Sequence, residues 1–283
     1  MRTVMITGAN SGIGFEAARM LAERGDHVVM AVRDRGRGEA ARASILQASP
    51  GARVDLELVD LGDLDAVRAL GARAPKLDVL VNNAGLGTIP LARTKEGVYL
   101  QFGANHLGHF LLTALLLKHL EGGADPRVVT VSSGLARKGT LKLDNLDGSR
   151  GYTQGGAYVQ SKLANSLFAA ELDRRLRARG SAVKSVVAHP GIAATPLQTK
   201  PTGLMGVGSR LVSALFGRPA AEGALPTVHA IVGQDVQGGE AYGPGSKRGA
   251  PPQREAPWPA FADRASARAL WERSEALAQV SWL

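Results

Sequence analysis

The 283-residue chain contains no cysteine. Disulfide scaffolds, thiolate metal sites and cysteine nucleophiles are excluded at once, and a reducing compartment, the cytoplasm, is the expected location. Long apolar runs are also missing. The most apolar stretch, Leu107 to Leu117, is interrupted by His109 and followed by Lys118 and His119. It falls short of the roughly 18 residues that span a bilayer, and reads as a buried helix. Met1 to Ile6 pass straight into a strand pattern with no charged-then-apolar leader, so no secretory signal is expected. Acids are in deficit: 25 Asp and Glu face 34 Lys and Arg, a net charge of +9. That surplus favours anionic ligands. It is spread along the chain and accompanies no nucleic-acid reader motif, so nucleic acid is not an expected partner. His106, His109, His119 and His189 lack partners at ligand spacing and are read as structural, with no metal expected.

What is present is a regular alternation. Thr3–Thr7, His27–Val32, Val54–Val59, Leu77–Val81, Arg127–Ser132 and Val183–Ala188 are short apolar runs, several rich in valine. Most are too apolar to leave one face wet, as in a parallel sheet covered on both sides. Between them lie helical patterns over Gly14–Arg24, Arg37–Ala48, Leu64–Ala72, Ala104–Leu120 and Ala157–Arg179. Repeated βαβ units of this kind predict an α/β, doubly wound parallel sheet of Rossmann type. A single domain, 1–283, is expected, with a cofactor and catalytic core over 1–191 and a substrate lid and C-terminal segment over 192–283. Residues 243–260 are rich in Gly and Pro and read as a loop. A last helix is expected over Asp263–Ala278.

The first strand runs into Gly8-Ala9-Asn10-Ser11-Gly12-Ile13-Gly14. Gly8 permits a tight turn, Gly12 lets the backbone approach a pyrophosphate, and Gly14 allows close helix–strand packing. The following helix N-terminus offers free N–H groups to phosphate charge. The second strand ends Ala31-Val32-Arg33-Asp34. An acid at the Val32 position would bind ribose hydroxyls; Arg33 instead offers a planar fork to a 2′-phosphate. NADP(H) is therefore expected over NAD(H), with Asp34 the residue that an NAD preference would bring forward.

Tyr158 and Lys162 lie four residues apart on one helix and share a face. A nearby ammonium favours the phenolate, which equips Tyr158 to exchange a proton with a substrate oxygen. Asn82-Asn83-Ala84-Gly85 follows the fourth strand, Asn105 precedes His106-Leu107-Gly108-His109-Phe110, and Ser132-Ser133 ends the fifth strand. Together with the glycine turn these segments resemble the short-chain dehydrogenase/reductase family over about residues 1–195. The stretches VMAVRD, NHLGHFLLT and YVQSKLANSLF resemble its retinol-dehydrogenase-like branch.

The resemblance implies a catalytic set of Asn105, Ser133, Tyr158 and Lys162. Ser133 orients the substrate oxygen, Lys162 also holds the nicotinamide ribose, and the Asn105 carbonyl supports a water relay to Lys162. It implies further cofactor contacts at Asp60, Leu61, Asn83, Ala84 and Gly85, and at Pro190, Gly191, Ile192 and Thr195. Asp60 is alternatively a helix N-cap. The implied reaction is hydride transfer between NADP(H) and a small apolar carbonyl or alcohol. The alternative is a cofactor-binding protein without net redox turnover, of epimerase, lyase or sensor type. The apolar segment 193–217 is expected to supply the substrate lid. Family members often pair through the helices at 104–120 and 157–179; monomer and homodimer both remain open.

Overall fold

The computed structural model describes residues 1–191, 219–247, 249–256 and 258–283. The valine-rich runs become β1 (Thr3–Thr7), β2 (His27–Val32), β3 (Val54–Leu58), β4 (Val79–Asn82), β5 (Arg127–Val131) and β6 (Lys184–Ala188). Two further strands come from the C-terminal region, β7 (Ala241–Gly243) and β8 (Gln253–Arg254). The sheet order is β3-β2-β1-β4-β5-β6-β7-β8, parallel throughout except for the β7–β8 pair.

Helices cover both faces. They are α1 (Gly12–Glu23), α2 (Arg35–Ala48), α3 (Leu64–Arg73), α4 (Leu100–Phe102), α5 (Gly108–Leu120), α6 (Gln154–Ala178), α7 (Ala220–Val232), α8 (Pro259–Ala262) and α9 (Arg264–Ala278). Side chains alternate between the two layers, as the pleat requires. Val4, Ile6, Val28, Met30 and Val32 pack under α1, α2 and α7. Met5, Val29, Ala31, Leu80 and Val128 pack under α3, α5, α6 and α9. This double burial is why the strands are apolar on both faces.

The structure differs from the sequence expectation after β6. The Gly- and Pro-rich stretch is partly built into the sheet edge as β8, and α7 fills the α1 side of the sheet. Gly223 and Pro226 speak against a helix there, yet Ala224, Ala230 and Ile231 are fully buried, and this packing prevails over propensity. Arg127, whose side chain is completely buried, ties β5 to the end of α7. It donates to Ala230 O (2.9 Å) and Gly233 O (2.7 Å) and pairs with Asp125. The expected lid segment 193–217, Ile192 and Thr195 lie outside the described residues.

Candidate functional site

β1 lies between β2 and β4, so the connections from β1 and β3 diverge above it. Such a switch point opens a crevice at the carboxyl ends of the strands, and a cavity of about 950 Å³ occupies it. Its floor is the glycine turn. Gly8 (φ +68°) and Gly12 (φ +58°) take the left-handed conformation that side chains disfavour. A Cβ on Gly14 would stand 2.6 Å from Gly8 O and closer still to Asn83 Nδ2, so only glycine lets α1 seat against the turn. Ser11 holds the N-cap position of α1, but its side chain accepts none of the first-turn N–H groups. These amides, together with Asn10, Ser11 and Ile13, border the cavity. A floor of helix-terminal amides below a space of this size fits the diphosphate of a dinucleotide.

At one end of the cavity stand Arg33 and Arg37, both exposed. Asp34 does not border the cavity. Its carboxylate accepts the Arg37 backbone N–H (2.9 Å) and caps α2. Arg37 carried no motif in the sequence; from the first turn of α2 it borders the same cavity as Arg33. Asp60 and Leu61 border the same end. Asp60 accepts the Gly62 N–H (2.8 Å), and the cap of α3 is Asp63, so Asp60 is free of the capping role. Asn83 borders the cavity and also spans two strands. Its Nδ2 donates to Thr7 O (2.7 Å), while Thr7 Oγ1 accepts the N–H groups of Asn83 and Ala84 (both 2.9 Å). Asn83 thus fastens β4 to β1 and, with Ala84 and Gly85, forms the wall.

Ser133, Tyr158 and Lys162 meet at the other end. Thr153 caps α6 by accepting the Gly156 N–H (3.2 Å), which places Tyr158 and Lys162 on successive turns of one face. The Tyr158 hydroxyl hydrogen-bonds Ser133. Ser132 points the other way, as strand alternation predicts, donating to Lys162 O (2.8 Å). Burial pushes the Lys162 ammonium down to about 8, and its Nζ donates to Val131 O (3.0 Å). Burial raises the Tyr158 phenol above its ordinary value, opposed by the Ser133 hydrogen bond.

Asn105 stands behind that wall, fully buried, in a wide π-type turn (Gly103–Leu107) joining α4 to α5. Its Oδ1 accepts Leu86 N–H (2.6 Å), and its Nδ2 donates to Leu86 O (2.9 Å) and Ser161 Oγ (2.9 Å). Gly85 separates it from Lys162: a Cβ there would be 3.3 Å from Lys162 Nζ and 3.5 Å from Asn105 Oδ1.

Pro190 and Gly191 border the cavity as expected. His189 accepts the Gly191 N–H at Nδ1 (3.1 Å), so Nε2 carries the proton to Glu255 (2.8 Å). Burial would raise Glu255, but His189, Trp258 and Arg137 hold it down to about 2. Sequence reasoning missed this link, because β8 was read as loop. It also missed Leu86, Thr88, Leu100, Ala104, Leu135 and Lys138 in the lining, whose side chains carry no motif. Among the described residues no three His, Asp or Glu side chains gather to hold a metal.

The short chain dehydrogenase family model matches residues 2–202. Human retinol dehydrogenase 14 is 39% identical over 98% of this chain and 86% of its own length. Human retinol dehydrogenase 12 is 39% identical over 83% of this chain and 75% of its own. The crystal structure of an uncharacterised protein from Mycobacterium paratuberculosis superposes with a TM-score of 0.82 at 39% identity, covering 100% of this chain and 95% of that one.

Proposed function

The chain belongs to the short-chain dehydrogenase family, whose chemistry is hydride transfer between a nicotinamide cofactor and an alcohol or carbonyl, and from that premise we propose an NADP(H)-dependent enzyme acting on an apolar carbonyl or alcohol. The observation that carries the reading is the convergence of Ser133, Tyr158 and Lys162 on one wall of a cavity whose floor is a helix N-terminus. A bound nicotinamide supplies or accepts the hydride at the substrate carbon. Tyr158 delivers the proton to the resulting alkoxide, or removes it in the reverse direction. Ser133 donates a hydrogen bond to the same oxygen and fixes its distance from Tyr158. Lys162 holds the ribose hydroxyls and, while charged, favours the phenolate. Asn105 supports proton resupply to Lys162 through its backbone carbonyl, since its side chain is spent on Leu86 and Ser161.

The cofactor preference rests on Arg33 and Arg37 standing at the cavity end while Asp34 is engaged as a helix cap. Two guanidinium groups match a 2′-phosphate, while the Asp34 carboxylate is occupied by the Arg37 backbone N–H. The substrate class rests on the apolar lining of Leu86, Ala104 and Leu135. Among the described residues no helix is long and apolar enough to cross a membrane. We also read the chain as a monomer, because α9 lies on α6, a helix the family uses for pairing. A binding protein without turnover is not favoured, since none of the proton-transfer groups is missing.

Two experiments test the reading. Tyr158→Phe is expected to lower turnover of decanal or acetophenone by about 10² or more, with NADPH affinity, followed by nicotinamide fluorescence, within threefold of the parent. Unchanged turnover removes Tyr158 from the chemistry. Arg33→Ala and Arg37→Ala are each expected to weaken NADPH binding by about tenfold or more and to leave NADH binding unaltered. Equal losses for both cofactors would refute the phosphate role.

A further inference from the structure

His109, on the first turn of α5, is 1% exposed and does not border the cavity. Its ring joins two functional segments. Nδ1 lies 2.9 Å from the carbonyl oxygen of Asn105, and Nε2 lies 2.8 Å from Thr7 Oγ1. A carbonyl oxygen only accepts, so Nδ1 carries a proton. Burial makes a second proton unfavourable, as does the nearby Lys162 ammonium, and the ring is pushed down to about 4 despite its bond to Asn105. Nε2 is therefore a lone pair, and the Thr7 hydroxyl donates to it. Val81 O, at 3.2 Å, is the longer choice for that single proton. Thr7 Oγ1 in turn accepts the N–H groups of Asn83 and Ala84. Every polar atom of the ring is used, and the chain of donors runs one way, from Thr7 to His109 to Asn105.

The direction matters because of where the chain ends. Asn105 sits in the π-type turn, where Gly108 N–H reaches back five residues to Gly103 O. The regular helical ladder does not fix the backbone there. The Asn105 side chain holds the cavity wall and α6, so it does not aim its own carbonyl. Thr7 precedes Gly8, the first residue of the phosphate-binding turn. We propose that His109 is a positioning residue, which locks the Asn105 carbonyl to the Thr7–Gly8 turn so that cofactor seating and proton resupply at Lys162 share one rigid frame. The proposal rests on the reading of Asn105 given above. It excludes His109 itself as an acid, base or metal ligand, since no ring atom is free for such a role.

The first test needs no variant. In protein labelled with ¹⁵N-histidine, the His109 ring is expected as the neutral Nδ1–H form at every pH at which the protein is folded and active, with His109→Asn used to assign the resonance. An Nε2–H form, or an imidazolium, overturns the proposal. The second test is kinetic. His109→Leu leaves Asn105 O without its ring donor and Thr7 without its acceptor. With saturating NADPH and decanal or acetophenone, kcat per folded molecule is expected to fall about tenfold or more and the solvent isotope effect on kcat to rise, with KM for the carbonyl little changed. His109→Gln, which offers one amide donor and one acceptor, is expected to recover part of the loss. A kcat within twofold of the parent for His109→Leu, an unchanged isotope effect, or no recovery by glutamine assigns His109 a packing role only. If His109→Leu does not fold, His109→Gln and the ring shifts decide. A parent enzyme that reduces no carbonyl with NADPH or NADH brings down the functional reading and the positioning role with it. An active parent with an indifferent His109 brings down the positioning role alone.

Discussion

Lys162 shows what the catalytic wall costs the fold. The residue is 3% exposed and its ammonium makes one hydrogen bond, to Val131 O. Burial of a charge with so little compensation disfavours the folded state. Below pH 8 the folded and unfolded chains both carry the proton, and the cost is complete. Between about 8 and the ordinary value of 10.5 the folded lysine has lost its proton while the unfolded one keeps it. The unfolded chain then binds more protons, so this residue's contribution to stability rises with pH across that window. Lys162→Met is accordingly expected to be inactive and yet more stable than the parent at pH 7, by on the order of 3 kcal/mol. The gap should close as pH approaches 10. Urea midpoints of the two proteins at a series of pH values check this, and comparison within the pair cancels the opposite drift from the raised Tyr158. A gap that stays constant would mean that the ammonium is not the source. The residues that pay such costs were legible, because Tyr158, Lys162 and Ser133 are unusual in kind and spacing. Arg37 and His109 were not. Arg37 carries no motif until the strand-to-helix turn puts it on the same cavity as Arg33, and His109 has its partners 102 and 4 residues away.

At the scale of elements, apolar runs marked strands well because the sheet buries both faces. They marked ends less well: β4 begins at Val79 instead of Leu77, since Asp78 is engaged with Thr3 N–H (2.7 Å). α7 was hidden by Gly223 and Pro226, and β8 by the Pro-rich stretch around it, because in both the tertiary partner decides what local propensity opposes. The π-type turn before α5 had no sequence signal either, but the residue that follows it has a testable constraint. A Cβ on Gly108 would lie 3.0 Å from the carbonyl carbon of Leu61 and nearer still to its oxygen. Alanine is the better helix former by about 1 kcal/mol. Against that gain, the obstruction is backbone and cannot rotate aside, and overpacking of this kind costs about 1–3 kcal/mol. Gly108→Ala is therefore expected to lower the melting temperature. Leu61 borders the cofactor end of the cavity, so NADPH binding should weaken with it. A variant that melts higher than the parent would show that α5 shifts freely away from Leu61.

At the scale of the whole molecule, the C-terminal twenty residues cover part of α5 and α6. Asp263 caps α9 by accepting Ser266 N–H (3.0 Å), and Ala267, Leu270, Trp271, Ser274 and Ala278 are buried beneath it. The Trp271 ring meets Phe110 of α5 edge-on at 5.0 Å, stacks on Trp282 at 4.8 Å, and carries the Arg175 guanidinium of α6 at 4.4 Å. Ser274 Oγ completes the lock at His106 Nε2 (2.9 Å). These are parts of the two long helices through which the resemblance anticipated pairing. Burying a ring of this size contributes at most about 5 kcal/mol, and a partner chain taking the plug's place must also lose its freedom of motion. The full chain is expected to sediment as a 29.5 kDa monomer. Deletion of residues 264–283 uncovers Phe110 and Phe168 on adjacent helices, and the shortened protein is expected to self-associate through them while Ser133, Tyr158 and Lys162 stay in place. Sedimentation velocity over a range of concentrations reads both outcomes. A full-length dimer would place the pairing surface elsewhere, and a shortened chain that remains folded and monomeric would show that α9 closes the core without excluding a partner.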